Sequence, residues 1–499
     1  MSEIQSKGQW KDFIENLSDS SLNINNVSDL IANCQNNAKV LLNHEYSYDW
    51  LKNLEKYSLS EQSKNNIEQL KKGKAVIVTT GQQPCLLTGA SLIFHKIFSM
   101  LSLCKTLNSK GIAAVPLFWS ASEDHDLSEI LRVITIDDSF VRNQTRIFKG
   151  LRNVSSETLP WDSELDDFLQ KQSPFIQSLL KDSPKDFYTD HFNQLLLKCF
   201  AKEGLLVVEP KWLNSKSSSF WDQVDAKKEA IVEAFNTDEQ KIRDQGYQLQ
   251  VIRKRPLPVF TINKRNGLRE ALSLEDRSWK DTNGKQYLNL KDCVNVDKRL
   301  SPGALLRPVY AQSALPILAS VLGPAEMKYH HQNKKCFEVL GLHRPLLYPR
   351  LGGTWLPENL ESECMNVGID LKGLFAGKNF MPSRQRIKMD FEDSFTSLLD
   401  NEIGKFEDSH PLKQRLIEQF KNELKRVHLK FDKKMWKIEQ EEKGISVKRL
   451  HELLEFLMPK GQKQERTICA FSYIKNIEHL YEIKKEFENC FDQKHRKYK

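Results

Sequence analysis

The sequence predicts an α/β fold built on a parallel sheet, and three observations predict it. A short run rich in Val, Ile and Thr, residues 76–80, ends at Gly81 and reads as a buried strand. The apolar stretch 86–107 is long enough for a helix, and residues 113–119 supply a second apolar run, completing a strand, helix, strand unit. Two polar clusters, TGQQP and EDHD, follow the two strands directly. In a parallel sheet that is where ligands bind, beyond the carboxyl ends of the strands.

The other elements follow in order. Spaced apolar positions between Trp10 and Leu42 predict short helices and loops, and residues 51–70 predict a helix before the first strand. Residues 131–136 read as a further strand, and GLLVVEP, 204–210, as another that ends at a proline. Helical spacing over 220–244 gives way to an extended, hairpin-rich insertion, with 263–267 as a turn after the strand 259–262. Pro302, Pro308, Pro316 and Pro324 cut the apolar block 301–332 into short elements. From 412 to 443 there is no proline or glycine, and apolar residues recur at three- and four-residue steps, which predicts one long helix or coiled-coil strand. Gly444 breaks it and 447–457 starts a second helix, a helical hairpin. A one-sided stripe on so long a helix needs a partner, either the return helix or another subunit.

Composition narrows the function classes. At 499 residues the chain can bury more than one core, and 39% hydrophobic with 28% charged residues is the balance of a folded, soluble protein. The net charge of +8 is a small excess, with no zinc-finger spacing or concentrated arginine stripe, so nucleic-acid binding is not favoured. Nine scattered cysteines without a CxxC pair argue against a disulfide framework or a zinc knuckle. The amino-terminal residues have no signal-type apolar core, and no run approaches the length that crosses a bilayer, so a cytoplasmic protein with no membrane association is expected.

The marked clusters carry the chemistry. Gly81 and Gly89, with polar Gln82, Gln83 and Thr88, let backbone N–H groups approach a phosphate or carboxylate, or simply make a tight strand-to-helix turn. The loop has neither a P-loop lysine nor a GxGxxG pattern. Cys85 within it reads as a small core filler, since no histidine adjoins it as a base. In the EDHD block His125 is a general-base candidate oriented by Asp124 or Asp126, while Glu123 and Asp124 also suit a helix start. Its spacing matches no standard metal signature, so no metal ligands are assigned. Arg307 either pairs with a buried carboxylate or clamps an anionic substrate, and Glu326 is a partner for a cation or a substrate amine, or a solvated helix-start residue. A third polar turn follows Tyr348-Pro349-Arg350, the pattern of a crevice lined by strand ends.

VTTGQQPCLLTG with SLIFHK, FWSASEDHDLSEI, the block from Ser301 to Gln332, and LMPKGQKQERT together resemble the cysteine ligase family of bacillithiol biosynthesis, in the same order over nearly the entire chain. The resemblance implies a Rossmann-like core over 1–383 with an inserted connecting region at about 220–295, and a C-terminal α-helical coiled-coil domain over 384–499 that forms a homodimer. It implies addition of cysteine to the amino group of glucosaminyl malate, with ATP or another adenine nucleotide activating the carboxylate and Mg2+ as a candidate companion. It would place the 81–89 loop and the EDHD block in the principal pocket, with Arg307 and 323–329 opposite, and Lys96 or Arg307 on carboxylates or phosphate. Cys85 stands where the family usually has glycine, Ala90-Ser91 replace its Gly-Pro, and Gly303-Ala304 alter the segment before LLRP. A metal-assisted hydrolase using EDHD and a non-enzymatic scaffold acting through the helical arm are the alternatives.

Overall fold

The computed structural model describes residues 27–124, 130, 132–136, 141–145, 154–213, 217–356, 360–367, 369–371, 374, 401, 411–442, 444 and 446–496. It separates into two compact units, one holding the described residues up to 352 together with 465–496, the other those between 353 and 464. His125 and Asp126 lie outside the described residues.

The described strands are, in chain order, β1 (Val76–Gln82), β2 (Ala114–Ser120), β3 (Arg132–Ile136), β4 (Val141–Thr145), β5 (Leu206–Val208) and β6 (Val259–Asn263). There follow β7 (Arg269–Glu275), β8 (Ser278–Lys280), β9 (Gln286–Tyr287), β10 (Lys298–Pro302), β11 (Ile317–Leu322) and β12 (Leu346–Pro349). The main sheet has the order β12-β11-β1-β2-β5, and every neighbouring pair is parallel. From β1 the chain moves outward through β2 to β5, then returns to lay β11 and β12 on the other flank. This is the doubly wound, Rossmann-like order, with its switch point between β1 and β11. Both faces are covered, which is why β2, β5 and β11 are buried at every position.

The helix after β1, α1 (Leu92–Ser109), begins later than the apolar run suggests. Leu87, Thr88 and Gly89 have φ of 46, 63 and 62°, and three successive left-handed residues cannot belong to a right-handed helix. The segment 51–70 is likewise split, into a short 3₁₀ turn Asp49–Leu54 and a helix Glu61–Lys71. The pattern over 220–244 is two helices, Ser217–Ala226 and Lys228–Asp244, interrupted where Lys227 leaves helical geometry at ψ 19°.

The hairpin-rich insertion is a five-stranded antiparallel sheet of order β10-β6-β7-β8-β9, and the 263–267 turn joins β6 to β7. The strand at 132–136 does not extend the main sheet. It pairs with β4 in a separate two-stranded ribbon, satisfying its backbone groups locally. The block cut by prolines becomes β10, α2 (Arg307–Ala314), β11 and α3 (Pro324–His330).

In the other unit, α4 (Pro411–Glu442) and α5 (Val447–Leu457) match the sequence reading, with the cap at Ser446 accepting from Arg449 N. Leu450, Leu453 and Leu457 of α5 pack with Leu356, Cys364 and Ile369 in this unit's own core. The α4 stripe, Leu412, Leu416, Phe420, Val427, Phe431 and Ile438, is exposed. The last helix, α6 (Ile477–Arg496), belongs to the sheet unit, although the sequence reading groups it with the C-terminal arm. Aromatic contacts draw it there: Phe487 stacks on His95 and meets Phe98, both from α1. Among the described residues no helix is long and apolar enough to cross a membrane.

Candidate active site at the sheet switch point

Three strand ends converge at the switch point. At the end of β1, Gly81 faces Trp119 of β2, and a Cβ there would lie 2.8 Å from the Trp119 carbonyl and 2.9 Å from its Cβ, so only glycine lets the strands stay paired. Lys96, one turn into α1 and 2% exposed, points back at this strand end. Its ammonium donates to Gly81 O and Gln82 Oε1 at 2.8 Å each and lies 2.8 Å from the Glu326 carboxylate. Glu326 also accepts from Gly323 N at 2.7 Å, which caps α3 just after β11. Lys96 thus ties the end of β1 to the start of α3, the helix that follows β11. Glu326 is the partner of a cation, as one sequence reading has it, at a helix start with 24% of its side chain in solvent.

The rest of the glycine loop turns inward. Cys85, Leu86, Leu87 and Thr88 are all buried, Thr88 completely. Gly89 combines φ 62° with ψ −144°, a region open essentially to glycine alone, and a Cβ on it would sit 2.6 Å from Cys85 Cβ. The loop is covered by the segment after Glu465: Ser91 N donates to Ile468 O and Cys469 Sγ to Leu87 O. The Thr88 hydroxyl is buried without a hydrogen-bond partner among the described residues. Eight cysteines, Cys85 among them, are buried and outside any disulfide.

Just after β2 the two described carboxylates of the EDHD block, Glu123 and Asp124, diverge. Glu123, 1% exposed, accepts from Arg299 and, at 2.9 Å, from Ser301 Oγ, both on β10. Arg299 Nη2 donates to both oxygens of Glu157 at 2.7 Å. Ser122 O accepts from Ser155 Oγ, Ser156 Oγ and Glu157 N at 2.8 to 3.0 Å, so the turn at 121–124 is fastened on two sides. Burial pushes the Glu157 carboxyl above the usual range, against the pull of Arg299. Burial would lower Arg299, but Glu123 and Glu157 raise it further than burial depresses it. Glu123 is therefore part of a buried ion cluster, which neither the helix-start reading nor the binding role anticipates.

Asp124 faces the other way, toward Arg307 at the start of α2. Both terminal nitrogens of Arg307 stand 3.5 Å from Asp124 Oδ2, at the outer limit of a hydrogen bond. The two side chains keep 19% and 25% of their surface in solvent. Burial would depress the Arg307 pKa, but Asp124, Tyr329 and Glu123 hold it above its ordinary value. Of the two sequence readings for Arg307, the carboxylate partner is present, yet the pair is loose and Nε has no hydrogen-bond partner among the described residues.

At the end of β12, Arg350 is 3% exposed and forks onto Glu465, with Nη1 and Nη2 at 2.9 and 2.7 Å. Glu465 lies 3.1 Å from His95 Nδ1. Burial would raise the Glu465 pKa, but Arg350 and His95 hold it well below the carboxylate range. Arg299, Glu157, Arg269, His95 and Glu465 are the residues that sequence reasoning passes over. SLIFHK and QER, within the quoted motifs, were the available signals for His95 and Glu465; Arg299 has no local one.

Residues 9–351 match the model of the bacillithiol biosynthesis BshC N-terminal Rossmann-like domain. The chain belongs to the BshC family. A Geobacillus thermodenitrificans protein named "Putative cysteine ligase BshC" is 25% identical over 389 residues, 72% of this chain and 70% of the relative. A Staphylococcus aureus protein of the same name is 25% identical over 443 residues, 82% and 81% of the two chains. The solved structure of Plasmodium falciparum tryptophanyl-tRNA synthetase covers 88% of this chain and 99% of its own at 10% identity, with a TM-score of 0.23, too low to carry an argument. Membership associates the chain with bacillithiol biosynthesis and, in general terms, with an enzyme that forms carbon–nitrogen bonds.

Proposed function

We propose that this protein joins the carboxylate of cysteine to the amino group of glucosaminyl malate at the crevice between β1 and β11. The observation that carries the reading is Arg307: a mostly buried guanidinium at the switch point whose Nε has no hydrogen-bond partner among the described residues and whose contact to Asp124 is loose. A cation so placed favours an anionic substrate, and the malyl carboxylates are such groups.

ATP or another adenine nucleotide, with Mg2+ as its companion ion, would supply activation of the cysteine carboxylate. The crevice suits anionic groups, because Lys96 and Arg307 both border it while Glu326 is capped by Gly323 N and Lys96. Lys96 holds the two crevice walls together and shapes the floor. In the reading from sequence His125, oriented by Asp124 or Asp126, would take the proton that the amine loses as it attacks. The exposed α4 stripe would pair with a second copy, making the protein a homodimer through its long helices.

The test is a reconstituted reaction with glucosaminyl malate, cysteine and ATP, followed by mass for the ligated thiol and for AMP or ADP. Product that is lost with His125→Ala and at least tenfold reduced with Arg307→Gln supports the proposal. No product with any nucleotide or divalent ion, from folded protein, overturns it.

A further inference from the structure

Three arginines and three carboxylates meet beside the switch point, and their pairing is uneven. β6 lies between β10 and β7, and its Ile262 is in register with Arg299 on one side and Arg269 on the other. Lateral neighbours in a sheet share a face, so Arg299 and Arg269 are presented together toward the turn at 121–124. Ser301, two residues beyond Arg299, is on that face too, and it too binds Glu123. Arg299 takes both Glu123 and Glu157. Arg307 is left with the loose contact to Asp124, and Arg269 has no ion pair among the described residues.

Arg269 is 8% exposed. Its Nη2 donates to Pro302 O at 3.0 Å, and the guanidinium carbon lies 4.0 Å from the centre of the Phe260 ring. Neither contact neutralises its charge. Nε of Arg269 and Nε of Arg307 are both buried without a hydrogen-bond partner among the described residues. Burial, and then repulsion from Arg307, pull the Arg269 pKa down to about 10. Asp124 stands 3.5 Å from Arg307, and Arg269 has no ion pair among the described residues, so a local surplus of positive charge remains around the two guanidinium groups where water is scarce. Such a surplus disfavours the empty protein, because a low-dielectric surrounding strengthens the repulsion. An incoming anion removes it.

We propose that Arg269 and Arg307 form an anion-binding subsite that takes a carboxylate or phosphoryl group, with Asp124 as the internal group the ligand displaces or shares. Arg299 acts as a positioning residue. By engaging Glu123 and Glu157 it keeps those carboxylates from filling the subsite and holds the 121–124 turn in place. The subsite deepens the proposed reaction, since it assigns Arg269 to the recognition of an anionic substrate, but binding can be measured without turnover.

The test is calorimetric titration of the full-length protein with malate and, separately, with inorganic phosphate. Malate binding without phosphate binding assigns the subsite to a carboxylate substrate; preferred phosphate binding assigns it to the nucleotide. Arg269→Gln and Arg307→Gln are each expected to weaken the preferred anion at least tenfold, and the exposed Arg277→Gln to leave it unchanged. Arg269→Lys, which keeps the charge but not the fork, guards against misfolding of the glutamine variant and should give an intermediate loss. Failure of both anions to bind the wild-type protein, or wild-type affinity in folded Arg269→Gln and Arg307→Gln, overturns the proposal. Malate binding without amide formation in the reconstituted reaction leaves the subsite standing and removes the reaction.

Discussion

Removal of Glu465 should destabilise the sheet unit strongly and in a pH-dependent way. The carboxylate is 7% exposed, its Arg350 partner 3%, and the contacts are 2.7 and 2.9 Å with His95 at 3.1 Å. Glu465→Ala strands a buried guanidinium whose remaining acceptor among the described residues is Leu351 O, at 3.0 Å. Breaking one side of such a pair costs about 3–5 kcal/mol. With a urea dependence of about 3 kcal/mol per molar, the midpoint should fall by about 1–1.7 M. Hydrogen exchange of peptides from β1 and β12 along a urea series isolates this unit from the other, as a chain of two units need not unfold in one step. The charge-free pair Arg350→Met with Glu465→Leu should lie within about 1 kcal/mol of wild type, because no charge is then buried. The Glu465 pKa is lower folded than unfolded, so its stabilisation is complete above the unfolded value of about 4.3 and is lost as pH falls. Wild type should therefore lose stability below about pH 4 along a limb that Glu465→Ala lacks. A midpoint shift under about 0.3 M, or a charge-free pair as damaged as Glu465→Ala, would refute the reasoning.

Two further outcomes follow from geometry. Gly89→Ala forces a Cβ to 2.6 Å from Cys85 in a backbone region that alanine avoids, and should lower stability by about 2–4 kcal/mol. Gly111→Ala, at φ 77° with nothing within 4 Å of the new Cβ, should lose only about 1 kcal/mol, and thermal melts that reverse this order refute the assignment. Leu416→Glu combined with Val427→Glu places charges on the exposed α4 stripe, and sedimentation should show the dimer becoming a monomer while the sheet unit melts unchanged. A mass equal to that of wild type refutes pairing through α4.

Much of the fold is legible because burial is written locally. β1, β2 and β11 are apolar runs, since a strand covered on both faces has no polar side to show. α4 is legible because 32 residues carry a repeating stripe with no breaker. Lys96 enters only through the family resemblance, while Asp124, Arg307 and Glu326 attract notice as polar residues beside apolar runs. Their pairing does not, because Lys96 and Glu326 are separated by 230 positions and Arg307 and Asp124 by 183. Glu123 and Asp124 look equivalent in sequence, and only the arrival of β10 makes one a buried structural anion and the other a face of the crevice.

The sequence by itself determined the parallel sheet, the family, the long helix and the positions where chemistry gathers, because periodicity, burial and turn chemistry act between near neighbours. The tertiary structure alone decided that α1 starts after three left-handed residues and that 132–136 forms its own ribbon. It also decided that Arg299 consumes two carboxylates while Arg307 meets Asp124 only loosely. Those outcomes depend on which distant groups must satisfy one another once water is excluded, and charge balance in a buried site is a property of the assembled fold.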